Sequence, residues 1–115
     1  MKENACRDKA YEFALDIVKF CRRNNSDRTM YSLIQQILRS GTSVGANIEE
    51  AQQAQSKKDF ASKFSIAVKE AYETRYWLRI FRDTKLIDEN ELNPLLIKID
   101  EIIRLLVASI KTIKL

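Results

Sequence analysis

The 115-residue sequence contains no histidine, only two glycines and one proline. Because histidine is a common general base and metal ligand, its absence removes many catalytic and metal-binding arrangements, including the Glu-x-x-His pairs of di-iron helical bundles. Two cysteines without histidine cannot form a structural zinc site. The sequence also has no phosphate-binding glycine-rich loop and no Gly-x-Ser-x-Gly motif. We therefore predict a protein that is not an enzyme and that holds neither a metal nor a cofactor.

Long apolar runs are also missing. No stretch of about 18 consecutive apolar residues could span a bilayer, and the first residues contain no apolar signal-peptide core. We expect a soluble, cytoplasmic protein without a membrane partner. A chain of 115 residues fits a single domain over residues 1–115. Since glycine and proline are so few, turns are few, and the elements must be long.

Four segments repeat apolar residues at intervals of three and four, the pattern of amphipathic helices. They cover about 5–23, 30–53, 57–83 and 89–112. Ser56 with Asp59, and Asp88 with Glu91, are start signals for the last two helices; alternatively, Asn93 caps the fourth helix with Pro94 at its first position. The predicted fold class is all-α, an antiparallel up-down-up-down four-helix bundle.

Three features refine this bundle. The first helix presents Cys6, Ala10, Phe13, Ile17 and Phe20 on one face, widened by Ala14, Val18 and Cys21. Cys6 and Cys21 are too far apart on one helix for a disulfide, so both are expected to be buried thiols. Gly41 and Gly45, four residues apart, indicate close helix packing or a bend rather than a ligand site.

The positive charge is concentrated in the third helix. The chain has a net charge of +4, and residues 57–85 carry eight Lys/Arg against four Asp/Glu. Four residues form a stripe at spacings of three, four and three: Tyr72, Arg75, Arg79 and Arg82. At the other end of the same helix lie Lys57, Lys58 and Lys63. Arginine beside tyrosine suits RNA or DNA, and equally a protein interface; a third interpretation is a solvated flank with Arg79 paired to Asp83.

The carboxylates offer little chemistry. Glu70 and Glu73 share a helix face and would supply half of a metal site, but no residues provide the other half. We expect Glu73 to pair with Lys69 or to bind a donor on a partner chain. Tyr76 and Trp77 are expected to pack at an interface or at the rim of the core.

The segment QILRSGTSVGANIEEA, with Arg39, Ser43, Asn47 and Glu50, resembles bacterial four-helix-bundle proteins named for an intervening sequence in 23S ribosomal RNA genes. The string from Phe60 through Glu73 and Trp77 to Leu78 continues the resemblance. The resemblance implies a homopentamer. It also implies kinship with an accessory protein of diversity-generating retroelements, which binds nucleic acid and a reverse transcriptase through a basic surface.

Six residues of this family motif are expected to be structural: Arg39, Ser43, Asn47, Glu50, Glu73 and Trp77. Asn47 and Glu50 lie near the inner edge of the second helix, and an arginine of another helix, Arg39 or Arg75, is their predicted partner. Ala51 stands where many members have glycine, so the second helix is expected to run on beyond it.

Two functions follow. The first is a non-enzymatic, oligomeric accessory protein that binds RNA or DNA through the basic surface. The alternative is a structural or adaptor homo-oligomer that acts through protein–protein contacts, with the basic stripe buried between subunits.

Overall fold

The computed structural model describes the backbone of residues 2–113 and the side chains of residues 4–113. It contains four helices: α1 (Lys2–Arg23), α2 (Arg28–Ala51), α3 (Lys57–Asp83) and α4 (Glu89–Thr112). The predicted all-α, four-helix fold is confirmed, with boundaries within a few residues of those expected. α2 stops at Ala51 and closes with a turn over Gln52 and Gln53, so the expected extension beyond Ala51 is wrong.

Polar side chains begin three of the helices. Asp27 accepts a hydrogen bond from the Met30 amide at 2.8 Å, and Ser56 accepts one from the Asp59 amide at 3.0 Å. Asp88 does the same for α4. The start signals at Ser56 and Asp88 are thus confirmed, and α4 begins at Glu89 rather than at Asn93. Each cap satisfies an amide that has no partner within its helix.

Contacts between α1 and α4 run in opposite directions along the two helices. Cys6 Sγ lies 3.7 Å from Ser109 Oγ, while Arg23 Nη2 lies 2.9 Å from Glu91 Oε1. The start of α1 therefore lies beside the end of α4. α2 and α3 show the same order, since Glu50 pairs with Lys63 and Arg39 pairs with Glu70.

One apolar core fills the centre of the bundle. It takes residues from every helix, and four of the five phenylalanines are buried: Phe13, Phe20, Phe64 and Phe81. Phe20 of α1 meets Phe81 of α3 edge to face, with ring centroids 5.8 Å apart. All four tyrosines are exposed instead: Tyr11, Tyr31, Tyr72 and Tyr76. No helix between residues 2 and 113 is long and apolar enough to cross a membrane.

The face of α1 is narrower than the sequence predicted. Val18 is 40% exposed, so it does not widen the core stripe, although Cys21 does. Val18 lies about 100° round the helix from Ile17, which occupies the centre of the buried face. Both cysteines are buried thiols, as expected, and burial raises the pKa of the Cys21 thiol to about 11.

The two glycines of α2 allow α1 to approach closely. Both have ordinary helical backbones rather than positive φ angles, so space, not backbone conformation, explains them. A Cβ on Gly41 would lie 3.0 Å from Ile17 Cγ1 and Cγ2. A Cβ on Gly45 would lie 3.4 Å from the Ala10 carbonyl oxygen, an ordinary contact. The close-packing interpretation is confirmed.

We predict that alanine at these two positions changes the stability of the protein differently. Gly45→Ala should stabilise the protein by up to about 1 kcal/mol, because alanine favours helix and fits the space. Gly41→Ala should be less stable than Gly45→Ala by about 1–3 kcal/mol, because fully buried Ile17 has no room to move. Urea denaturation of both variants measures this difference. Equal stability would show that Ile17 does not limit the approach of α1 to α2.

Candidate nucleic-acid or subunit interface

The centre of the predicted basic stripe is a stacked pair. Arg75 places its guanidinium carbon 4.8 Å from the ring centroid of Tyr72, which is itself exposed. The other side of Arg75 faces α4, where Nη1 lies 3.2 Å from Asp100 Oδ1. The ring holds the guanidinium in place by a cation–π contact, while Asp100 neutralises part of its charge. Arg75 is thus well positioned but is only partly available to a phosphate.

Arg79 and Arg82 have different surroundings. Arg82 Nε lies 2.8 Å from Asp83 Oδ1, so the predicted pairing of Arg79 with Asp83 is wrong. Arg82, which is adjacent to Asp83, forms the ion pair with that carboxylate instead. The hydrogen bond from Arg82, with a smaller contribution from the Arg79 charge, lowers the pKa of Asp83. Arg79 is exposed and forms no hydrogen bond or ion pair with any residue from 4 to 113.

The three predicted lysines do not join this stripe. Lys57 and Lys58 are exposed in the first turn of α3, and Lys63 Nζ lies 3.1 Å from Glu50 Oε1 on α2. Lys57 and Arg79 are 22 residues apart in one helix, which is about 33 Å along its axis. The structure therefore separates the candidate cations into two ends of α3.

Ion pairs neutralise half of the six predicted cations. Lys63, Arg75 and Arg82 each face a carboxylate within 3.2 Å. Lys57, Lys58 and Arg79 form no ion pair in the described part of the chain. Part of the stripe is thus paired within the chain, and Arg79 is its arginine without an ion-pair partner there.

Three of the family-motif residues form a second cluster, together with Glu70, on the edge of α3 that faces α2. Arg39 of α2 reaches across to two carboxylates: Nη1 lies 3.1 Å from Glu70 Oε2, and Nη2 contacts Glu73 Oε2. The Trp77 indole donates to the same Glu73 oxygen at 3.1 Å. We call these four residues the Arg39 cluster. One guanidinium with two carboxylates fixes the register between α2 and α3.

Electrostatics in the Arg39 cluster stabilise the charged forms. The Glu73 hydrogen bond is the main cause that raises the pKa of Arg39. Partial burial alone would raise the pKa of Glu73, but the hydrogen bonds from Trp77 and Arg39 outweigh it and lower the pKa. The predicted pairing of Glu73 with Lys69 is wrong, since Lys69 adds only a weaker charge effect. Glu73 instead faces α2, where Arg39 can reach it.

Ser43, Asn47 and Glu50 do not take an arginine from another helix. Ser43 Oγ donates to the Arg39 carbonyl at 2.6 Å, and Asn47 Nδ2 donates to the Ser43 carbonyl at 2.8 Å. Glu50 is exposed and pairs with Lys63. The predicted arginine partner is therefore wrong for both Asn47 and Glu50, because Asn47 bonds back within its own helix and Glu50 points outward. The structural roles of Ser43 and Asn47 are local.

Two polar residues of this edge were missed from the sequence. Ser40 and Thr74 are fully buried, and Thr74 Oγ1 lies 2.9 Å from Ser40 Oγ between α2 and α3. Glu70, considered only as a metal ligand, is a partner of Arg39. The presence of Thr74 in an otherwise apolar stripe was the available signal, since a buried hydroxyl requires a partner. Within residues 4–113, no three Cys, Asp or Glu side chains are grouped to hold a metal.

The helical core, the α2–α3 polar edge and the exposed α3 stripe together define a four-helix-bundle protein. Comparison with known proteins specifies the family. A family model for the 23S rRNA-intervening sequence protein matches residues 2–108, and the chain belongs to that family.

A solved structure supports the same relationship. It is a crystal structure of a protein of unknown function from the S23 ribosomal protein family of Bacteroides thetaiotaomicron VPI-5482. The two chains are 45% identical and superpose with a TM-score of 0.92 over 97% of this chain and 100% of the other. No curated protein matches this sequence significantly.

We predict that the Arg39 cluster makes stability depend on acid pH. Because the folded-state pKa of Glu73 is lowered, its contribution is complete above the usual value of about 4.3 and is lost as pH falls through the folded-state value. Glu73→Gln should lower the free energy of unfolding by about 1–2 kcal/mol at neutral pH, and should make it fall less between about pH 6 and pH 3.

Urea denaturation across this pH range tests the prediction. Glu49→Gln is the matched control, because Glu49 is exposed and its carboxylate bonds to no described residue. A Glu73→Gln variant that loses stability with acid as steeply as the native protein would contradict the role assigned to Glu73.

Proposed function

We propose that this protein is a non-enzymatic, homo-oligomeric accessory protein that binds RNA or DNA through a basic surface on α3. The observation that supports it best is the exposed Tyr72 ring with Arg75 stacked on it, followed one turn later by unpaired Arg79. An exposed aromatic ring can stack on a base, and an unpaired guanidinium can bind a phosphate on two oxygens. Arg75, already oriented by Tyr72 and Asp100, needs little reordering to contribute.

An exposed apolar stripe on α1 supports the homo-oligomer. Tyr11, Leu15 and Val18 follow one another at spacings of four and three, so they lie on one side of the helix. They are 60%, 45% and 40% exposed. Glu12 and Glu49 flank this side and pair with no cation among residues 4–113, so they complement the positive charge of another copy. Contiguous exposed apolar side chains with a polar rim are typical of subunit contacts.

The adaptor alternative is favoured by one observation on α4. Ile97 is 67% exposed, and because Arg75 lies level with Asp100, Ile97 lies level with Leu78 and Arg79 of antiparallel α3. An exposed aliphatic side chain at the level of Arg79 suits a protein partner as well as a nucleic acid. In this alternative the α3 surface is buried between subunits.

We predict that Arg79→Glu weakens nucleic-acid binding without dissociating the oligomer. In fluorescence anisotropy with a labelled RNA hairpin, affinity of the native protein should fall steeply between about 50 and 200 mM salt. The variant should bind roughly tenfold more weakly at about 50 mM salt, because the substitution removes a cation that binds phosphate and adds a repulsive charge. Lys111→Glu, an exposed change of equal charge on α4, is the matched control.

Light scattering on the same samples separates the two functions. An Arg79→Glu protein that stays assembled but loses RNA supports nucleic-acid binding by α3. A variant that falls apart into smaller species supports the adaptor alternative. Unchanged RNA affinity would refute the α3 site.

We predict that Leu15→Glu lowers the oligomer mass. A charge in the middle of the α1 stripe would have to be buried without a partner if the stripe packs against another copy. Size-exclusion chromatography with light scattering should show a smaller species at the same protein concentration, with unchanged helical circular dichroism. Gln35→Glu, an exposed change on α2, should leave the mass unaltered. An intact Leu15→Glu oligomer would exclude the stripe from the subunit contact.

A further inference from the structure

Uncompensated positive charge gathers where α1 ends and α2 begins, in a part of the chain that is nearly neutral overall. Residues 17–33 hold a single acidic residue, Asp27, among several lysines and arginines. Lys19, Arg22 and Arg28 are all exposed, and we call them the α1–α2 basic corner. Lys19 and Arg22 lie three residues apart on one side of α1, and Arg28 is the first residue of α2.

Three carboxylates of α1, α4 and the α1–α2 connection already have partners. Glu91 of α4 accepts hydrogen bonds from Arg23 at 3.0 Å and from Asn24 at 2.9 Å. Asp16 of α1 forms an ion pair with Lys98 of α4, with 2.5 Å between Oδ2 and Nζ. Asp27 caps α2.

Asp16 and Glu91 line one depression together with Lys19, but both carboxylates already bind other residues. Within the described chain, the side chains of Lys19, Arg22 and Arg28 form no hydrogen bond or ion pair. The contrast with the α3 stripe is direct, because two of its three arginines have a carboxylate partner.

Helix electrostatics explain only part of this arrangement. Arg22 and Arg23 lie in the last turn of α1, where a cation stabilises the negative end of the helix dipole. Arg28 lies at the opposite kind of end, the start of α2, where a cation is unfavourable, and the first turn of α2 has no acidic residue to offset it. Stability of the isolated fold therefore gives no reason for Arg28 beside Arg22 and Lys19.

The surface at this end of α1 is concave. Lys19, Arg22 and Arg23 line an open depression of about 370 Å³. Tyr31, three residues after Arg28 and on the same side of α2, is 53% exposed. The polar connection includes exposed Asn25 and Ser26. Because Lys19, Arg22 and Arg28 have no ion-pair partner among the described residues, they suit a polyanion with repeated charges better than a single small anion.

We propose that the α1–α2 basic corner binds the phosphate backbone of the nucleic acid, at a site separate from the α3 stripe. This inference rests on the proposed function, because it assigns a second contact to the same ligand. The corner acts mainly through charge, with Lys19, Arg22 and Arg28 each facing a phosphate. Such contacts set affinity and position but carry no sequence preference.

The test uses a triple variant that removes charge without reversing it, Lys19→Gln, Arg22→Gln and Arg28→Gln, in the full chain. The three side chains make no bonds in the described structure, so the variant should keep its helical content and oligomer mass. Anisotropy titrations with the labelled RNA hairpin at several salt concentrations give the slope of log affinity against log salt. The slope should become shallower by about one for each phosphate that is no longer neutralised, about three in all.

Two matched proteins make the result specific. Removing Lys69, Lys111 and Lys9 as glutamine changes the same number of charges away from the corner and should change the slope less, because Lys9 already has a carboxylate partner and the charge of Lys69 already acts on Glu73. The single variant Arg79→Gln reports the α3 site alone.

The titrations decide whether the α1–α2 basic corner binds the RNA. The proposal is supported if the corner variant binds more weakly with a shallower slope while the control lysine variant stays close to native. Native affinity and slope in the folded corner variant refute it, whatever Arg79→Gln does. If the native protein does not bind the RNA hairpin at about 50 mM salt, both the proposed function and this inference are refuted.

If the corner variant misfolds, acetylation of Lys19 in the native protein is measured instead. Bound RNA should protect Lys19 from acetylation, and equal labelling with and without RNA overturns the proposal.

Discussion

The four apolar helix faces can be buried only against one another, and this constraint determines the rest of the structure. The chain is short, its cysteines remain thiols, and no described group of residues is arranged to bind a metal. Stability must therefore come from one core with few defects. Gly41 shows how closely the helices are brought together, since Ile17 occupies the space that a side chain would need. The outward sides of the helices are left to carry charge.

Pairing between helices decides which of those charges are available. Along α1 and α4, three ion pairs join the helices: Lys9 with Glu101, Asp16 with Lys98, and Arg23 with Glu91. Along α2 and α3, Arg39 and Lys63 take carboxylates of the facing helix. These pairs are partly exposed, so each adds little stability on its own. Their larger effect is to neutralise some cations and leave others, Arg79 and the α1–α2 basic corner among them, uncompensated.

The fold was predictable because its signals are local. Apolar spacing within a helix places Phe64, Ala67 and Ala71 on the buried side, and a serine or aspartate before a helix satisfies a free amide. The candidate site was predictable only in part, because a side chain's partner depends on the register between helices. Arg39 and Glu73 are 34 positions apart, and no local pattern pairs them.

The errors in the predicted charge pairs have the same cause, because they too depend on where side chains lie in space. Asp83 was assigned to Arg79 from helical spacing, but adjacent Arg82 takes it. The sum of charges over residues 1–56 also concealed the α1–α2 basic corner, because acidic residues elsewhere in that segment cancel its cations in the sum but form no ion pair with them in the described structure.

The direction of the pKa shifts has a consequence for how this surface would respond to its surroundings. Carboxylates with resolved shifts, such as Glu73 and Asp83, have pKa values that move to more acidic pH, and cations such as Arg39 and Lys9 have pKa values that move to more basic pH. The pKa of the Cys21 thiol also moves away from neutrality, and the chain has no histidine. None of these shifted groups therefore changes its charge between about pH 5 and 8. The ion pairs that they form keep their charges when the acidity changes over that range, whereas a higher ionic strength would screen the exposed pairs.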